Sequence, residues 1–364
     1  MHSEHSRRYF IKSGAVIGSA LFAGCGGSGS DGGDGASDGS DGSSSSNGGE
    51  GESESNGNDE MESTEESSES DNSTPHLALS IPTLEFTFYV RMQNAWEAAK
   101  QNGRISQEST FYDAQGDQSS QIGHIETAIS NNVDVLVASP VTGEGILPGI
   151  DQANEADIPV IAIDRDFAET SGRETYIGSD NVSLGRRSSQ LLREFMSEAS
   201  SDDTYNVIQL EGTPGAPNVE LRGSGFQSVV DNNDDFQVLD SQTGEFTTQD
   251  ALSTMNDLIT RHGDDIDGVF CQNDLMCLGA HQALSDSDLD VPITGVDGTE
   301  GWVEIFSDNQ YYGTLAQLPE GMVDQAVMTS KNILNGESIQ SEYVIEGLEV
   351  TQESASEYLS EYFQ

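Results

Sequence analysis

Hydrophobic residues follow two different spacings along the chain from about residue 76 onward. Short, unbroken runs of Val, Ile and Leu predict strands buried on both faces of a parallel sheet. These runs lie at residues 77–81, 133–140, 158–164, 206–212, 266–272, 291–297 and 313–318. Longer segments with helical spacing lie between them, at residues 88–103, 118–132, 181–199, 247–263 and 322–336. Strands that alternate with helices predict doubly wound parallel sheets, and these units are too many for one small sheet, so we expect an α/β protein with two lobes.

Capping residues mark the ends of several predicted helices. Gly103, Gly263 and Gly336 stand where helices end, because glycine adopts the left-handed conformation of a helix terminus without steric cost. Asp180 and Asn181 form an N-cap pair, since the side chains of Asp and Asn accept hydrogen bonds from the free N–H groups of a first helical turn. These caps support the predicted helix boundaries.

Polar side chains stand where several predicted strands end. The carboxyl edge of an open α/β sheet is where ligands bind, so these residues are candidates for a binding site. The candidates at strand ends are Asp164, Arg165, Asn273, Asp297 and Gln317, with Arg222 at a helix start and Phe88, Tyr89 and Phe246 in helix starts or loops. Asp274 also follows a strand, and we expect it to cap the next helix rather than to bind.

The residue types in this set suit a ligand that carries many hydroxyl groups. A carboxylate only accepts hydrogen bonds and a guanidinium only donates them, so together they satisfy both halves of a hydroxyl group. Charged partners make hydrogen bonds about twice as strong as neutral partners do. Aromatic rings suit the flat C–H faces of a sugar ring. Asp164 and Asp297 are also compatible with a carboxylate pair for glycoside hydrolysis, so an enzyme stays open as an alternative.

Five motifs carry a resemblance to a known family. DRDF, RGSGF, QNDLMCLGA, VDGTEG and AQLPE, in this order and spacing, resemble the ribose-type periplasmic sugar-binding proteins, the substrate receptors of ABC importers, from about Leu77 to Val350. The resemblance implies two lobes joined by a three-segment hinge, with the ligand cleft between them. The implied crossings lie near residues 178–180, 317–318 and 344–345. The implied lobes are residues 76–178 plus 318–344 and residues 179–317 plus 345–364.

The resemblance also implies roles for the candidate residues. Phe88, Tyr89 and Phe246 would stack on the faces of a sugar ring. The side chains that would bond its hydroxyls are Asp164, Arg165, Arg222, Asn273, Asp297 and Gln317. The chain departs from ribose binders at TLEFTF, where Glu85 and Phe86 replace Asn, and at Tyr89, which replaces Phe. Glu85 and Phe86 are therefore further candidates, and the implied ligand is a neutral pentose, hexose or cyclitol, with no cofactor and no metal.

The first 75 residues have the pattern of an export signal followed by a tether, rather than the pattern of a folded domain. SRRYFIK, at residues 6–12, resembles a twin-arginine signal, and LFAGC resembles a lipobox that makes Cys25 the lipidated N-terminus. Residues 26–75 are rich in Gly, Ser and acidic residues and have too few apolar side chains to fold, so they predict a disordered linker. The expectation is a monomer anchored to the extracytoplasmic face of the membrane beside permease and ATPase subunits. Asn72 begins a glycosylation sequon, whose use the sequence does not decide.

The formal net charge of −50 indicates a strongly acidic surface. Residues 1–25 carry +2 and residues 26–75 carry −14, so the predicted folded part carries −38. Nucleic-acid binding needs clustered Lys and Arg, so a nucleic-acid partner is excluded. Such an acidic surface is typical of extreme halophiles, which keep proteins soluble where salt shortens the Debye length to roughly 3 Å at about 1 M.

Two further interpretations concern function and cysteine chemistry. A sugar-sensing receptor for signalling or chemotaxis would use the same cleft, so the sequence leaves sensing open beside uptake. Cys271 and Cys277 lack metal-ligand spacing and are expected to be buried thiols rather than a disulfide.

We predict that the protein loses structure when salt is removed. Like charges on the acidic surface repel more strongly as the Debye length grows to about 10 Å near 0.1 M salt. Circular dichroism should therefore show loss of helical signal on dialysis from molar KCl to low salt, and recovery when KCl is restored. A spectrum that is unchanged at low salt would contradict the halophilic interpretation.

Overall fold

Two six-stranded sheets form the framework of the protein. The computed structural model describes residues 74–363, and the predicted export signal, Cys25, the acidic linker and Asn72 lie outside these described residues. The strands are β1 (Leu77–Ile81), β2 (Thr110–Asp113), β3 (Val135–Ala138), β4 (Val160–Ile163), β5 (Thr175–Gly178), β6 (Tyr205–Glu211), β7 (Phe236–Thr243), β8 (Gly268–Cys271), β9 (Ile293–Asp297), β10 (Tyr312–Ala316), β11 (Glu342–Val344) and β12 (Leu348–Thr351). The first sheet has the order β11-β5-β4-β3-β1-β2, and the second has the order β12-β10-β9-β8-β6-β7.

Ten helices of the described residues cover these sheets. They are α1 (Thr87–Gln101), α2 (Gln118–Ser130), α3 (Leu147–Glu155), α4 (Asn181–Ala199), α5 (Pro217–Asn232), α6 (Thr248–His262), α7 (Asp274–Asp286), α8 (Glu300–Phe306), α9 (Pro319–Leu334) and α10 (Gln352–Tyr362). None of the helices within residues 74–363 is long and apolar enough to cross a membrane.

All strand pairings within the described residues are parallel except that of β12, which runs antiparallel to β10. The α/β class with two parallel-rich sheets is confirmed.

The predicted strands all lie in the interior of a sheet, and β5, which is also interior and buried, was missed because its sequence TYIG contains no apolar run. Every residue of β1, β3 and β4 is buried, which explains their unbroken apolar runs. The sequence analysis missed β2, β5, β7, β11 and β12. Four of these are sheet edges, where half-exposed side chains such as those of β2 and β7 give a mixed pattern.

The chain passes between the two sheets at three places. It leaves the first sheet after β5, returns after β10 and leaves again after β11. Helix α4 packs on β8, β9 and β10 of the second sheet, whereas α9 packs on α1, β4 and β5 of the first sheet. We call the first sheet with its helices the first lobe and the second sheet with its helices the second lobe.

Most observed helix ends agree with the sequence, but Asn181 and Asp274 do not act as the predicted caps. Asn181 is the first residue of α4, and its Oδ1 accepts a hydrogen bond from Arg222 Nε instead of capping the helix. Gly103, Gly263 and Gly336 have φ values of 66°, 53° and 69°, and the Asp180 carboxylate accepts a hydrogen bond from Ser183 N, as expected of caps. The prediction that Asp274 caps α7 is wrong.

Asn273 caps α7 instead of Asp274. The Asn273 Oδ1 atom accepts a hydrogen bond from Met276 N at 3.0 Å. Asp274 is fully buried and joins the ends of two strands to α8: its Oδ1 accepts from the Thr314 hydroxyl at 2.7 Å and its Oδ2 accepts from Thr299 N at 2.7 Å. Burial raises the pKa of Asp274 well above its ordinary value. Asn273 therefore performs the capping that was expected of Asp274, and Asp274 has a structural role that was not expected.

Cys271 and Cys277 are free and buried, which confirms the prediction of buried thiols. Both belong to the apolar cluster of the second lobe, which also contains Trp302. A comparable cluster around Trp96 fills the first lobe. Each sheet therefore has its own apolar core, and the polar groups described below lie outside those cores.

We predict that Asp274→Ala destabilises the fold strongly. The substitution leaves the buried Thr299 N–H and Thr314 hydroxyl without their acceptor, so we expect the free energy of unfolding to fall by about 2–4 kcal/mol. Asp286→Ala is the matched control, because Asp286 is an exposed acid at the end of the same helix. Urea unfolding of both variants in molar KCl measures the difference. Equal stability of the two variants would contradict the structural role of Asp274.

Candidate functional site

A cavity lies between the two lobes at the carboxyl ends of their strands. Its lining brings together all nine predicted site residues. The lining residues are Phe86, Phe88, Tyr89, Asp164, Arg165, Asn218, Arg222, Phe246, Asn273, Asp297 and Gln317. Of the two further candidates, Phe86 lines the cavity, whereas Glu85 is exposed and does not. Asn218 was missed.

Both lobes contribute to the lining through the segments that follow their strands. In the first lobe, the aromatic residues lie at the beginning of α1, which follows β1, and Asp164 directly follows β4. In the second lobe, Arg222 lies on α5 after β6, Phe246 precedes α6, and Asp297 ends β9. Parallel sheets place all these ends at one edge, which is why residues distant in sequence meet here.

Three lining residues have left-handed backbone conformations that non-glycine residues seldom adopt. The φ values are 61° at Asp164, 61° at Phe246 and 121° at Asp297. Such conformations cost of order 1–3 kcal/mol each and persist where the surrounding structure fixes them, most often at functional sites. Gly212 contributes to this fixation, because a Cβ atom there would overlap the Phe246 ring.

The first-lobe carboxylate is held by a tyrosine and faced by an arginine. The Tyr89 hydroxyl donates to Asp164 Oδ2 at 2.5 Å and lies 2.9 Å from the Ser139 hydroxyl. Burial raises the pKa of Tyr89 well above its ordinary value, so the hydroxyl keeps the proton that it donates. Arg165 Nε lies 3.9 Å from Asp164 Oδ2. Tyr89 therefore occupies one carboxylate oxygen, and Asp164 Oδ1 is the oxygen left to accept from a ligand.

Arg165 sits among three aromatic rings. Its guanidinium carbon lies 5.9 Å from the ring centroids of Phe86 and Tyr89 and 5.8 Å from that of Phe246. Phe86 and Phe246 come from opposite lobes, and their centroids are 6.0 Å apart at 73°. Cations attract ring faces over these distances. The two lobes therefore already touch each other around this cation.

The second-lobe carboxylate lies in a network around Arg222. Arg222 donates from Nε to Asn181 Oδ1 at 2.8 Å, from Nη1 to Gln272 O at 2.5 Å and from Nη2 to Asp297 Oδ1 at 3.4 Å. Gln317 Nε2 donates to the same Asp297 oxygen at 2.8 Å. Burial raises the pKa of Asp297, and the Arg222 charge opposes that rise. The network fixes the carboxylate while leaving Oδ2 free for a ligand.

Three buried polar atoms of the lining have no hydrogen-bond partner. They are Arg165 Nε, Asn218 Oδ1 and Gln317 Oε1, which make up half of such side-chain atoms within the described residues. A buried unpaired polar group costs free energy, so native proteins seldom keep one without a use. One donor and two acceptors pointing into one cavity are what a molecule with several hydroxyl groups would satisfy.

Asn218 was not predicted, and Asn273 does more than the sequence indicated. Asn218 lies four residues before Arg222, on the same face of α5, and this helical spacing is the signal that could have found it. Asn273 lines the cavity, but its side chain is largely occupied: Oδ1 caps α7 and Nδ2 donates to Phe246 O at 3.2 Å. Asn273 therefore positions Phe246 in addition to facing the cavity.

The cavity shows no sign of a metal centre. Within residues 74–363 no cluster of three or more His, Cys, Asp or Glu side chains is arranged to hold a metal ion. The arrangement of the lining residues, with paired charges, aromatic rings and unpaired polar atoms, is suited to binding a polar ligand.

Comparison with known proteins agrees with this geometry. Residues 77–338 match the family described as periplasmic binding protein domain. The ribose import binding protein RbsB of Bacillus subtilis (strain 168) is 33% identical over 264 residues, which cover 72% of this chain and 83% of that protein. Two solved structures are also similar.

The first solved structure is the periplasmic binding component of the arabinose ABC transporter from Shewanella sp. ANA-3, bound to α- and β-L-arabinofuranose. It has a TM-score of 0.73 and 28% identity, covering 78% of this chain and 95% of that one. The second is an ABC transporter solute-binding protein from Bacillus halodurans C-125 with bound myo-inositol, with a TM-score of 0.72 and 25% identity, covering 80% of this chain and 99% of that one. The chain belongs to the ribose-type periplasmic sugar-binding proteins of ABC transporters.

Proposed function

We propose that this protein binds one neutral monosaccharide or cyclitol between its lobes and delivers it to the permease of an ABC importer. The observation that carries the proposal is the cavity itself, where Arg165 Nε, Asn218 Oδ1 and Gln317 Oε1 are buried and unpaired beside two charged pairs. Ring hydroxyls would satisfy these atoms, and Phe88, Phe246 and their aromatic neighbours would cover the apolar faces of the ring.

The charges of the cavity favour a neutral ligand. Asp164 and Asp297 are balanced by Arg165 and Arg222, so the site has no surplus charge to pair with a phosphate or a zwitterion. A site built to bond hydroxyls rejects analogues that lack them, because its own polar groups would then be left unpaired.

The relatives narrow the ligand class without selecting one sugar. The B. subtilis relative is named for ribose import, and the two solved structures hold L-arabinofuranose and myo-inositol. Tyr89 favours a ligand other than ribose, since its hydroxyl takes one oxygen of Asp164. We therefore propose a pentose, a hexose or a cyclitol that meets Asp164 with a single hydroxyl group.

Placement at the membrane belongs to the same proposal. The twin-arginine pattern and the lipobox at Cys25 support a lipoprotein on the extracytoplasmic face, and residues 26–75 would tether it there. The net charge of −50 supports a halophilic source. A monomer that closes on its ligand would present the closed lobes to the permease and ATPase subunits.

We predict that Phe246→Ala and Asp297→Ala each weaken sugar binding by at least about 2 kcal/mol. A thermal-shift screen in molar KCl with D-ribose, L-arabinose, D-allose and myo-inositol first selects the ligand, and calorimetry then measures its affinity. Glu85→Ala is the matched control, because Glu85 lies beside Phe86 but is exposed outside the cavity. D-Ribose 5-phosphate and glycine test the expected rejection of charged compounds.

The assignment fails on any of three results. One is that Glu85→Ala costs as much affinity as Asp297→Ala. Another is that the phosphorylated or zwitterionic compounds bind while the neutral ones do not. Weak binding of every neutral compound, with no effect of Asp297→Ala, would also contradict the proposed site.

We predict that Cys25→Ser releases the protein from the membrane without changing sugar binding. The substitution removes the thiol that a lipid anchor requires, and the tether of residues 26–75 has too few apolar side chains to hold the protein at the membrane. Membrane fractions washed with salt and carbonate should lose the variant and keep the natural protein. Full retention of Cys25→Ser on washed membranes would contradict the lipid anchor.

A further inference from the structure

The C-terminal helix α10 lies beyond the part of the chain that matches the family, which ends at residue 338. It packs on α8 and β12 of the second lobe, where Ala355 and Tyr358 are buried. The segment from residue 358 to residue 363 carries three aromatic side chains, Tyr358, Tyr362 and Phe363, whose rings contact each other at centroid distances of 5.0 and 5.8 Å. The rings of Tyr362 and Phe363 and the hydroxyl of Tyr358 face a single cation.

That cation is Arg91, on α1 of the first lobe. Arg91 is 8% exposed and forms a two-pronged ion pair with Glu320 of α9, with Nε 2.8 Å from Oε1 and Nη2 2.9 Å from Oε2. Helices α1 and α9 both belong to the first lobe, so the ion pair fixes the Arg91 side chain within its own lobe. Its remaining nitrogen and its guanidinium face are left to contact the second lobe.

Arg91 contacts the second lobe in two ways. Nη1 donates to the Tyr358 hydroxyl at 3.2 Å, and the guanidinium carbon lies 4.9 Å from the Phe363 centroid and 5.8 Å from the Tyr362 centroid. The Tyr358 hydroxyl in turn donates to Gly298 O at 2.9 Å. Close by, the hydroxyls of Thr87 and Thr299 meet across the lobe boundary at 3.3 Å.

These contacts tie together the two sides of the ligand cavity without touching it. Arg91 follows Tyr89 by two residues on the same helix, and Gly298 directly follows Asp297. The contacts therefore join the helix that carries the aromatic residues of the first lobe to the strand end that carries the carboxylate of the second. They exist only while the lobes are together.

We propose that Arg91, with Tyr358, Tyr362 and Phe363, forms a latch that holds the two lobes closed. Arg91 is a positioning residue in this proposal, since it meets other protein groups rather than the ligand. Buried charged contacts are screened by salt far less than exposed ones, so the latch keeps its strength in the concentrated salt that weakens surface ion pairs. The inference depends on the contacts between the lobes and not on which sugar is bound.

A ligand-free disulfide trap tests the latch. The pair Thr87→Cys and Thr299→Cys, in the full chain with Cys25→Ser, forms a disulfide only when the lobes meet, because the two native hydroxyls touch in the closed arrangement. Cys271 and Cys277 are buried and do not compete. With a fixed oxidant in molar KCl, the rate of disulfide formation reports how often the lobes are closed, even when the closed form is a minor population.

Adding Arg91→Met should slow disulfide formation about tenfold, the effect of losing one hydrogen bond and a buried cation–π contact. Tyr358→Phe, which removes only the hydroxyl, and Phe363→Ala, at the very end of the described chain, should each slow it about threefold. Arg104→Met is the matched control: Arg104 pairs with Asp324 of α9, so both partners lie in the first lobe. It removes the same charge and should change the rate less than about twofold.

Two results would overturn the latch. One is a rate for Arg91→Met that equals the rate for Arg104→Met. The other, which decides the matter if Arg91→Met does not fold, is that Tyr358→Phe and Phe363→Ala both match the control. Because the assay contains no ligand, failure of the proposed sugar binding would leave its outcome unaffected, and failure of the latch would leave the proposed binding unaffected.

Discussion

Buried charge between the lobes is the constraint on which the rest of the structure depends. Arg165 and Arg222 are only 5% and 1% exposed, and a buried charge is costly unless hydrogen bonds and opposite charges surround it. Each lobe supplies one such pair, Arg165 with Asp164 and Arg222 with Asp297. The strand ends, the capping residues and the left-handed backbone at Asp164 and Asp297 hold these groups in place. The stability of the lobe interface and the capacity to bind a polar ligand therefore rest on the same atoms.

The pairs are incompletely satisfied, and this makes the interface a binding site rather than a closed core. A fully paired network would stabilise contact between the lobes whether or not a ligand was present. Here Arg165 Nε and Gln317 Oε1 are buried without partners, so closure without a ligand carries a penalty that a hydroxylated ring would remove. The latch at Arg91 opposes that penalty from outside the cavity. The balance between the two sets how often the empty protein closes, and hence the fraction of molecules that bind as a preformed site.

The sequence predicted those features that depend on local pattern or on residue type at a strand end. Central strands such as β1 and β4 are recognisable by their unbroken apolar runs. All nine predicted site residues line one cavity, because parallel strands place their carboxyl ends together. Edge strands such as β11 were missed, since three residues, two of them exposed, give no pattern. The structural role of Asp274 depends on Thr299 and Thr314, which only the fold brings near. Arg91 was missed for the same reason, because its partners lie more than 200 residues away.

The distribution of bases shows how an acidic protein can still close. Residues 76–364 contain 11 Lys and Arg, and three of these, Arg91, Arg165 and Arg222, are buried at or near the lobe boundary. Elsewhere on that boundary, exposed Glu144 of the first lobe and exposed Glu220 of the second lobe line the same cavity. Salt screens the exposed acids over roughly 3 Å at about 1 M but has little effect on the buried arginines. High salt would therefore weaken the repulsion between the exposed acids of the two lobes and leave the contacts of the buried arginines nearly unchanged.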